Sequence, residues 1–254
     1  MSADTYESLF SLEDRTAIVT GGASGLGREI ARGLDAVGAT VIVADIDHAA
    51  GTEVADDLGE ESLAVEVDVR STNSLQQLRE RALEATGGYD VVFNIPGINT
   101  RVPVSQLSES EWSDIIELNL TGVFLSAKVL GAPLLEQGHG SMINMASIRG
   151  LVGGANQSAY SASKGGVVQL TKVLAAEWAP DVRVNALAPG YMKTPLVREA
   201  MEDHEWYEHM RSKHLLDRFG DPSEVVGPAV FLAAEASSFV TGSTLVVDGG
   251  WTAV

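Results

Sequence analysis

The sequence predicts an α/β fold, a doubly wound parallel sheet of about seven strands with helices on both faces. Three observations carry that expectation. Short β-branched apolar runs alternate with longer stretches of helical periodicity, no Gly/Ser/Pro linker or repeat interrupts the alternation, and 254 residues with 45% apolar content suffice for one core. Residues 1–254 therefore read as a single domain. Strands are expected at 15–20, 40–45, 62–67, 89–94, 141–145, 182–187 and 244–247, all as buried apolar runs, with helices filling the gaps. The interval from about 191 to 221 holds no strand. Its acidic amphipathic stretch from Met201 to Met210 predicts one or two short helices and a lid segment.

Composition narrows the chemistry. The 35 acidic residues outnumber 17 basic ones, five of them lysine, for a net charge of −18. Such a surface disfavours nucleic acid and anionic membranes as partners, and it fits a halophilic setting where salt screens repulsion between carboxylates. The absence of cysteine excludes disulfides, thiol nucleophiles and thiolate metal sites. His204 and His209 lie five apart, off a common helical face, so no metal site is expected. No run approaches the roughly 18 uncharged apolar residues of a membrane span, and the first seven residues lack the blocks of a signal peptide. A cytoplasmic location is the expectation.

The first expected strand ends in Thr20-Gly21-Gly22-Ala23-Ser24-Gly25-Leu26-Gly27 and enters an apolar-periodic helix. Glycines there permit a tight turn, let backbone N–H groups approach a pyrophosphate and let the helix pack close, which predicts a Rossmann-type dinucleotide turn. The spacing is G-x3-G-x-G instead of the commoner G-x-G-x-x-G. Asp45 closes the second strand, where a carboxylate accepts hydrogen bonds from ribose hydroxyls and repels a 2′-phosphate. With Ile46 after it and Ser24 before Gly25, neither position offers a basic residue for that phosphate, so NAD is expected over NADP. Tyr160 and Lys164 lie four apart, on one helical face. The Lys164 ammonium and a positive nicotinamide ring are expected to lower the phenol from its ordinary value near 10 and make it a base. Ser147 follows the fifth strand in the carboxyl-end crevice, and Asn119, polar in an apolar helical run, needs a specific hydrogen-bond partner.

Together these residues resemble the short-chain dehydrogenase/reductase family, in its single-domain branch of roughly 250 residues, over nearly the whole chain. The resemblance implies Thr20, Gly21, Ser24, Gly25, Leu26 and Gly27 as the cofactor turn, Asp45 and Ile46 at the adenosine ribose, and Asp68 and Val69 at the adenine. Asn94 and Gly97 follow the fourth strand, and Pro189, Gly190, Met192 and Thr194 hold the nicotinamide end. Asn119, Ser147, Tyr160 and Lys164 are then the catalytic tetrad: Tyr160 exchanges the proton, Lys164 binds the nicotinamide ribose, Ser147 polarises the carbonyl and Asn119 positions a relay water. Tyr160 and Lys164 touch the cofactor as well. A homotetramer is also implied. One departure stands out: the family's usual Asn-Asn-Ala-Gly reads Asn94-Ile95-Pro96-Gly97 here, and proline removes a backbone donor near the cofactor ribose.

Other readings lack their marks. A serine hydrolase would show a G-x-S-x-G elbow, a noncatalytic nucleotide sensor would lose part of the tetrad, and a sugar-nucleotide epimerase carries a further substrate domain. Within the family, Glu177-Trp178-Ala179, Pro189-Gly190-Tyr191-Met192, the apolar run 227–234 and Asp248-Gly249-Gly250-Trp251 are most like the gluconate and 2-dehydro-3-deoxy-gluconate 5-dehydrogenases; the alternatives are a 3-oxoacyl reductase or a polyol or sugar dehydrogenase. Arg101 and Arg149 are expected at the mouth of the crevice, where a planar cationic fork suits a carboxylate. With Ser147, Gln157 and Tyr160 they make up the expected substrate set. From the charge alone, thermal stability should rise between low salt and molar KCl, measured by differential scanning calorimetry; a melting temperature flat across that range would detach the acidic surface from salt.

Overall fold

The computed structural model describes residue 6 and residues 8–253. Seven strands form one sheet: β1 (Thr16–Thr20), β2 (Thr40–Asp45), β3 (Leu63–Glu66), β4 (Val91–Asn94), β5 (Gly140–Met145), β6 (Val182–Pro189) and β7 (Thr244–Val247). Their order is β3-β2-β1-β4-β5-β6-β7, and every neighbouring pair is parallel. The order reverses at β1, which lies between β2 and β4, the switch point where open α/β sheets bind ligands. Between strands run α1 (Gly25–Asp35), α2 (His48–Asp56), α3 (Thr72–Thr86), α4 (Glu109–Ile116), α5 (Gly122–Gln137), α6 (Ser158–Trp178), α7 (Pro195–Met201), α8 (His204–Arg211) and α9 (Val226–Ala233).

Alternation along each strand feeds two cores. Ala17 and Val19 of β1 pack with Ile30 and Leu34 of α1 and Leu232 of α9, while Ile18 between them packs on the other face with Leu75 and Leu78 of α3, Leu130 of α5 and Trp178 of α6. Central strands are therefore buried on both sides and read as unbroken apolar runs. The two edge strands differ from the expectation: β3 and β7 are only half-buried, because each has a partner on one side alone. Local signals start the helices. The Ser71 and Asp203 side chains accept from the amides of Ser74 and Trp206, Ser108 and Glu111 form a capping box, and left-handed Gly87 closes α3.

α4, a π-helical turn at Glu117–Thr121 and α5 join into one helical run, Glu109–Gln137. By length and composition this run passes for a membrane span, which corrects the expectation that no stretch is so apolar. Half of its most apolar window is buried, with α5 packed on the sheet and against α3, so the core accounts for that half of its hydrophobicity.

A buried polar chain crosses beneath the carboxyl ends of the strands. The Ser126 hydroxyl donates to Asn94 Oδ1, Asn94 Nδ2 donates to Asn144 Oδ1 at 2.8 Å, and Asn144 Nδ2 donates to Thr171 Oγ1 at 3.0 Å. Strands β4 and β5 are thereby fastened to α5 and α6, with each amide satisfied. Beyond β6, residues 191–221 form α7 and α8. Their neck is pinned where Lys193 N–H donates to the Gly220 carbonyl at 2.9 Å and Gly220 N–H to Tyr191 at 3.0 Å.

Helices α5 and α6 meet at Gly131, where an added Cβ would collide with the Trp178 ring. Gly131→Ala should gain up to about 1 kcal/mol in helix propensity and lose about 1–3 kcal/mol through overpacking. Urea denaturation should show net destabilisation; a variant more stable than the parent would mean that the Trp178 ring gives way freely.

Candidate active site

The carboxyl ends of the strands open into an elongated cavity of about 600 Å³, which runs from Asp68 and Val69 at one end to Ser147 and Tyr160 at the other. At the switch point, Gly21 has φ +72° and hydrogen-bonds through its N–H to the Ala44 carbonyl at 2.8 Å. Gly27 begins the close packing of α1: a Cβ there would strike the Gly21 carbonyl oxygen. A side chain at either position would therefore fill or distort a cradle of bare backbone. Ser24 caps α1 in extended conformation without a side-chain bond to the helix amides. Together with a lining that includes Asp45 and Asp68 as well as Ser147 and Tyr160, this cradle fits a dinucleotide. Pro96 lies against Gly21, so the departure from the usual motif forms part of the cofactor wall.

Asp45 is held by two backbone donors, Ala23 N–H to Oδ2 at 3.0 Å and Asp47 N–H to Oδ1 at 3.1 Å, which fix its carboxylate at the cavity edge. At the adenine end, Arg70 grips Asp68 bidentately, with both contacts at 3.0 Å, and holds that carboxyl below its ordinary range.

At the other end, Ser147 follows β5 and caps the helical turn Ile148–Gly150, its hydroxyl accepting the Arg149 N–H at 3.1 Å. Tyr160 and Lys164 stand one turn apart on α6, both buried. Lys164 Nζ donates to the Met145 carbonyl at 2.7 Å and lies 5.9 Å from the Tyr160 ring centre. Burial pushes Lys164 down to about 8. Burial also pushes the Tyr160 phenol up, against the Ser147 hydroxyl, which lowers it, and smaller lowering by Arg101 and Arg149, while Tyr191 adds to the rise. The sequence leads one to expect that Lys164, together with a nicotinamide ring, lowers the phenol; for Lys164 the structure corrects this. In the structure desolvation wins, and Lys164 is not among the groups that shift Tyr160. The protein by itself keeps Tyr160 protonated.

Nearly all the expected residues share the cavity wall: Gly21, Ser24, Gly25, Leu26, Gly27, Asp45, Ile46, Asp68, Val69, Gly97, Arg101, Ser147, Arg149, Gln157, Tyr160, Lys164, Pro189, Gly190, Met192 and Thr194. Three expected residues stand one layer behind it. The Thr20 hydroxyl is spent on the Phe93 carbonyl, and Asn94 is spent in the polar chain. Asn119 braces the loop after β4, accepting from Ile98 N–H and donating to its carbonyl, both at 2.9 Å, and donating to Ser163 Oγ at 3.3 Å.

Residues 21–252 match the family model described as Enoyl-(Acyl carrier protein) reductase. The chain belongs to the short-chain dehydrogenase/reductase family. Among curated relatives, 2-dehydro-3-deoxy-D-gluconate 5-dehydrogenase of Escherichia coli (strain K12) is 37% identical over 254 residues, covering 97% of this chain and 98% of its own. Cis-4-hydroxycyclohexanecarboxylate dehydrogenase of Sinomonas cyclohexanicum is 40% identical over 245 residues, covering 95% and 98%. A gluconate 5-dehydrogenase from Burkholderia cenocepacia J2315, crystallised with NADP and tartrate, superposes with a TM-score of 0.94 at 31% identity, covering 98% of this chain and 99% of that one. As a short-chain dehydrogenase/reductase, the protein is an oxidoreductase of CH–OH groups that uses a nicotinamide dinucleotide.

Sequence reasoning gives no role to several wall residues of this dehydrogenase, Arg70, Ile98, Asn99 and Ile148, and places Tyr191 and Val197 within the lid segment. Arg70 directly follows Asp68-Val69, and Tyr191 directly follows Pro189-Gly190, so adjacency to a motif was the available signal.

The lowered Lys164 gives a pH signature. Its folded value of about 8 lies below the unfolded 10.5, so between these the unfolded chain binds the extra proton, and the buried charge costs stability in full below about pH 8. The penalty fades as pH rises. Measured against Lys164→Met, the parent's unfolding free energy should improve by about 3 kcal/mol from pH 8 to 10.5. A gap that does not change with pH would show that the ammonium is not destabilised by burial.

Proposed function

We propose that this protein is an NAD-dependent dehydrogenase of a sugar acid, interconverting a secondary hydroxyl and a ketone on a substrate whose carboxylate meets Arg101 and Arg149. One observation carries the proposal. In a chain with 35 acidic residues, neither arginine forms an ion pair among the described residues, and each has a buried Nε without a partner. Arg101 lies 4.8 Å above the Trp206 ring, and Arg149 lies 5.6 Å from Tyr191 and 5.2 Å from Trp251. Two cations kept on the wall of one cavity and away from carboxylates await an anion from outside. Support comes from relatives whose names concern gluconate-type acids, including the gluconate 5-dehydrogenase crystallised with tartrate, a hydroxy acid.

For the cofactor, Asp45 supports NAD, since its fixed carboxylate repels a 2′-phosphate. Arg70, the basic residue on the wall beside Asp68, is already paired. The relative crystallised with NADP is the counterweight that makes the assay decisive.

A bound nicotinamide would supply the hydride acceptor in oxidation and the hydride donor in reduction. Tyr160 begins protonated and gives its proton to the carbonyl oxygen in reduction; in oxidation the phenolate takes the hydroxyl proton. Ser147 would donate to the same oxygen, Lys164 would hold the nicotinamide ribose, and Asn119 fixes the loop that carries Gly97. Leu196 and Val197 of α7 line the cavity, so residues 191–221 act as the lid. A homotetramer in a salt-rich cytoplasm completes the reading, on family resemblance and charge.

A second reading shares the carboxylate but has an alicyclic body. Ile98, Ile148, Leu196 and Val197 make part of the wall apolar, and the relative acting on cis-4-hydroxycyclohexanecarboxylate is 40% identical. Steady-state assays with NAD and NADP on D-gluconate, cis-4-hydroxycyclohexanecarboxylate, D-glucitol and cyclohexanol separate the possibilities. An acid should exceed its neutral counterpart by about ten-fold or more in kcat/KM, NAD should exceed NADP, and Tyr160→Phe should lower kcat by orders of magnitude while NADH affinity stays within a few-fold. Neutral compounds reacting as well as acids would remove the acid assignment, and equal use of NADP would remove the role of Asp45.

A further inference from the structure

Tyr191 lies at the end of β6, at the start of the lid segment, and is 8% exposed. Its ring is fixed from several directions: stacked on Phe219 at 5.4 Å, edge-on to Trp206 at 5.4 Å and tilted against Trp251 at 5.3 Å. A phenol clamped in this way has few alternative positions for its hydroxyl. That hydroxyl accepts a hydrogen bond from Arg149 NH2 at 3.0 Å, and no acceptor among the described residues takes its own hydrogen. Both residues line the cavity that contains Ser147 and Tyr160.

Arg149 is 9% exposed, and its guanidinium has five N–H donors. One meets the Gly153 carbonyl at 2.9 Å, one meets Tyr191, and Nε has no partner. Tyr191 and Trp251 both flank the charge with ring faces or edges, which fixes its plane without neutralising it. The pair therefore presents a rigid cation and, beside it, an O–H donor already polarised by that cation. A single anionic oxygen pair satisfies both: one oxygen takes a guanidinium N–H, the other takes the phenolic hydrogen.

We propose that Arg149 and Tyr191 together form the seat of the substrate carboxylate, with Tyr191 as an O–H donor to it. This seat deepens the acid-substrate reading given above and rests on it. The same reasoning makes Tyr191 a discriminating residue: a neutral hydroxyl accepts a weaker bond at that place, so removing the phenolic oxygen affects acids selectively.

The test uses the whole protein and tartrate as the probe, because Trp251 and Trp206 adjoin the seat and report its occupancy by fluorescence. Tyr191→Phe keeps the ring and deletes only the hydroxyl. Arg149→Lys keeps the charge and gives up the planar fork that reaches residue 191. In each variant the dissociation constant for tartrate should rise about ten-fold, while NADH affinity stays within a few-fold of the parent's and the circular dichroism spectrum shows the fold kept. An unchanged tartrate constant in Tyr191→Phe, or no tartrate response in the parent, overturns the seat. The acid reading stands or falls separately, on the parent's turnover of D-gluconate against D-glucitol: a clear preference there with an unchanged Tyr191→Phe constant leaves the acid reading intact and removes only the seat.

Discussion

All seven strands point the same way, and that single polarity is what the site depends on. Parallel neighbours cannot be joined by tight turns, so each connection must cross a face of the sheet, and each crossing buries that face under a helix. The carboxyl ends then converge on one edge. Asp45 comes from the end of β2, Asp68 from beyond β3, Gly97 from beyond β4, Ser147 from beyond β5 and Tyr191 from beyond β6. Residues far apart in sequence become neighbours without any long-range pairing code of their own.

This dependence explains what was legible in the sequence. Central strands buried on both faces write unbroken apolar runs such as Ala17-Ile18-Val19, and the turn at Gly21–Gly27 writes itself because backbone contact there excludes side chains. Direction is harder to read. Thr20 and Asn94 stand at strand ends, as cofactor ligands do, yet each points its polar atoms inward to the Phe93 carbonyl and to Asn144. Spacing cannot tell these from residues such as Gly21 and Gly97, which face the cavity. Burial is equally silent in one dimension: the four-residue spacing of Tyr160 and Lys164 suggested mutual stabilisation, whereas enclosure of both dominates their protonation. The partnership of Arg149 with Tyr191 joins two different crossovers, and no local pattern announces it.

Charge is distributed with a purpose opposite to its total. The chain carries −18 overall, but the part of the cavity wall around Ser147 and Tyr160 gathers Arg101, Arg149 and Lys164. An anionic substrate approaching such a molecule is repelled at long range and attracted at short range. Salt acts on the first effect, since exposed charges are screened beyond roughly 10 Å at 0.1 M ionic strength, and hardly touches a cation buried to the extent of Arg149. Ionic strength therefore governs encounter more than it governs the bound complex.

Trp251 lies in the final helical turn described, yet its ring lies 5.2 Å from the Arg149 guanidinium and 5.3 Å from Tyr191. A residue remote from both in sequence thus backs the wall that Arg149 and Tyr191 present, so the last described helical turn bears on what that end of the cavity accepts.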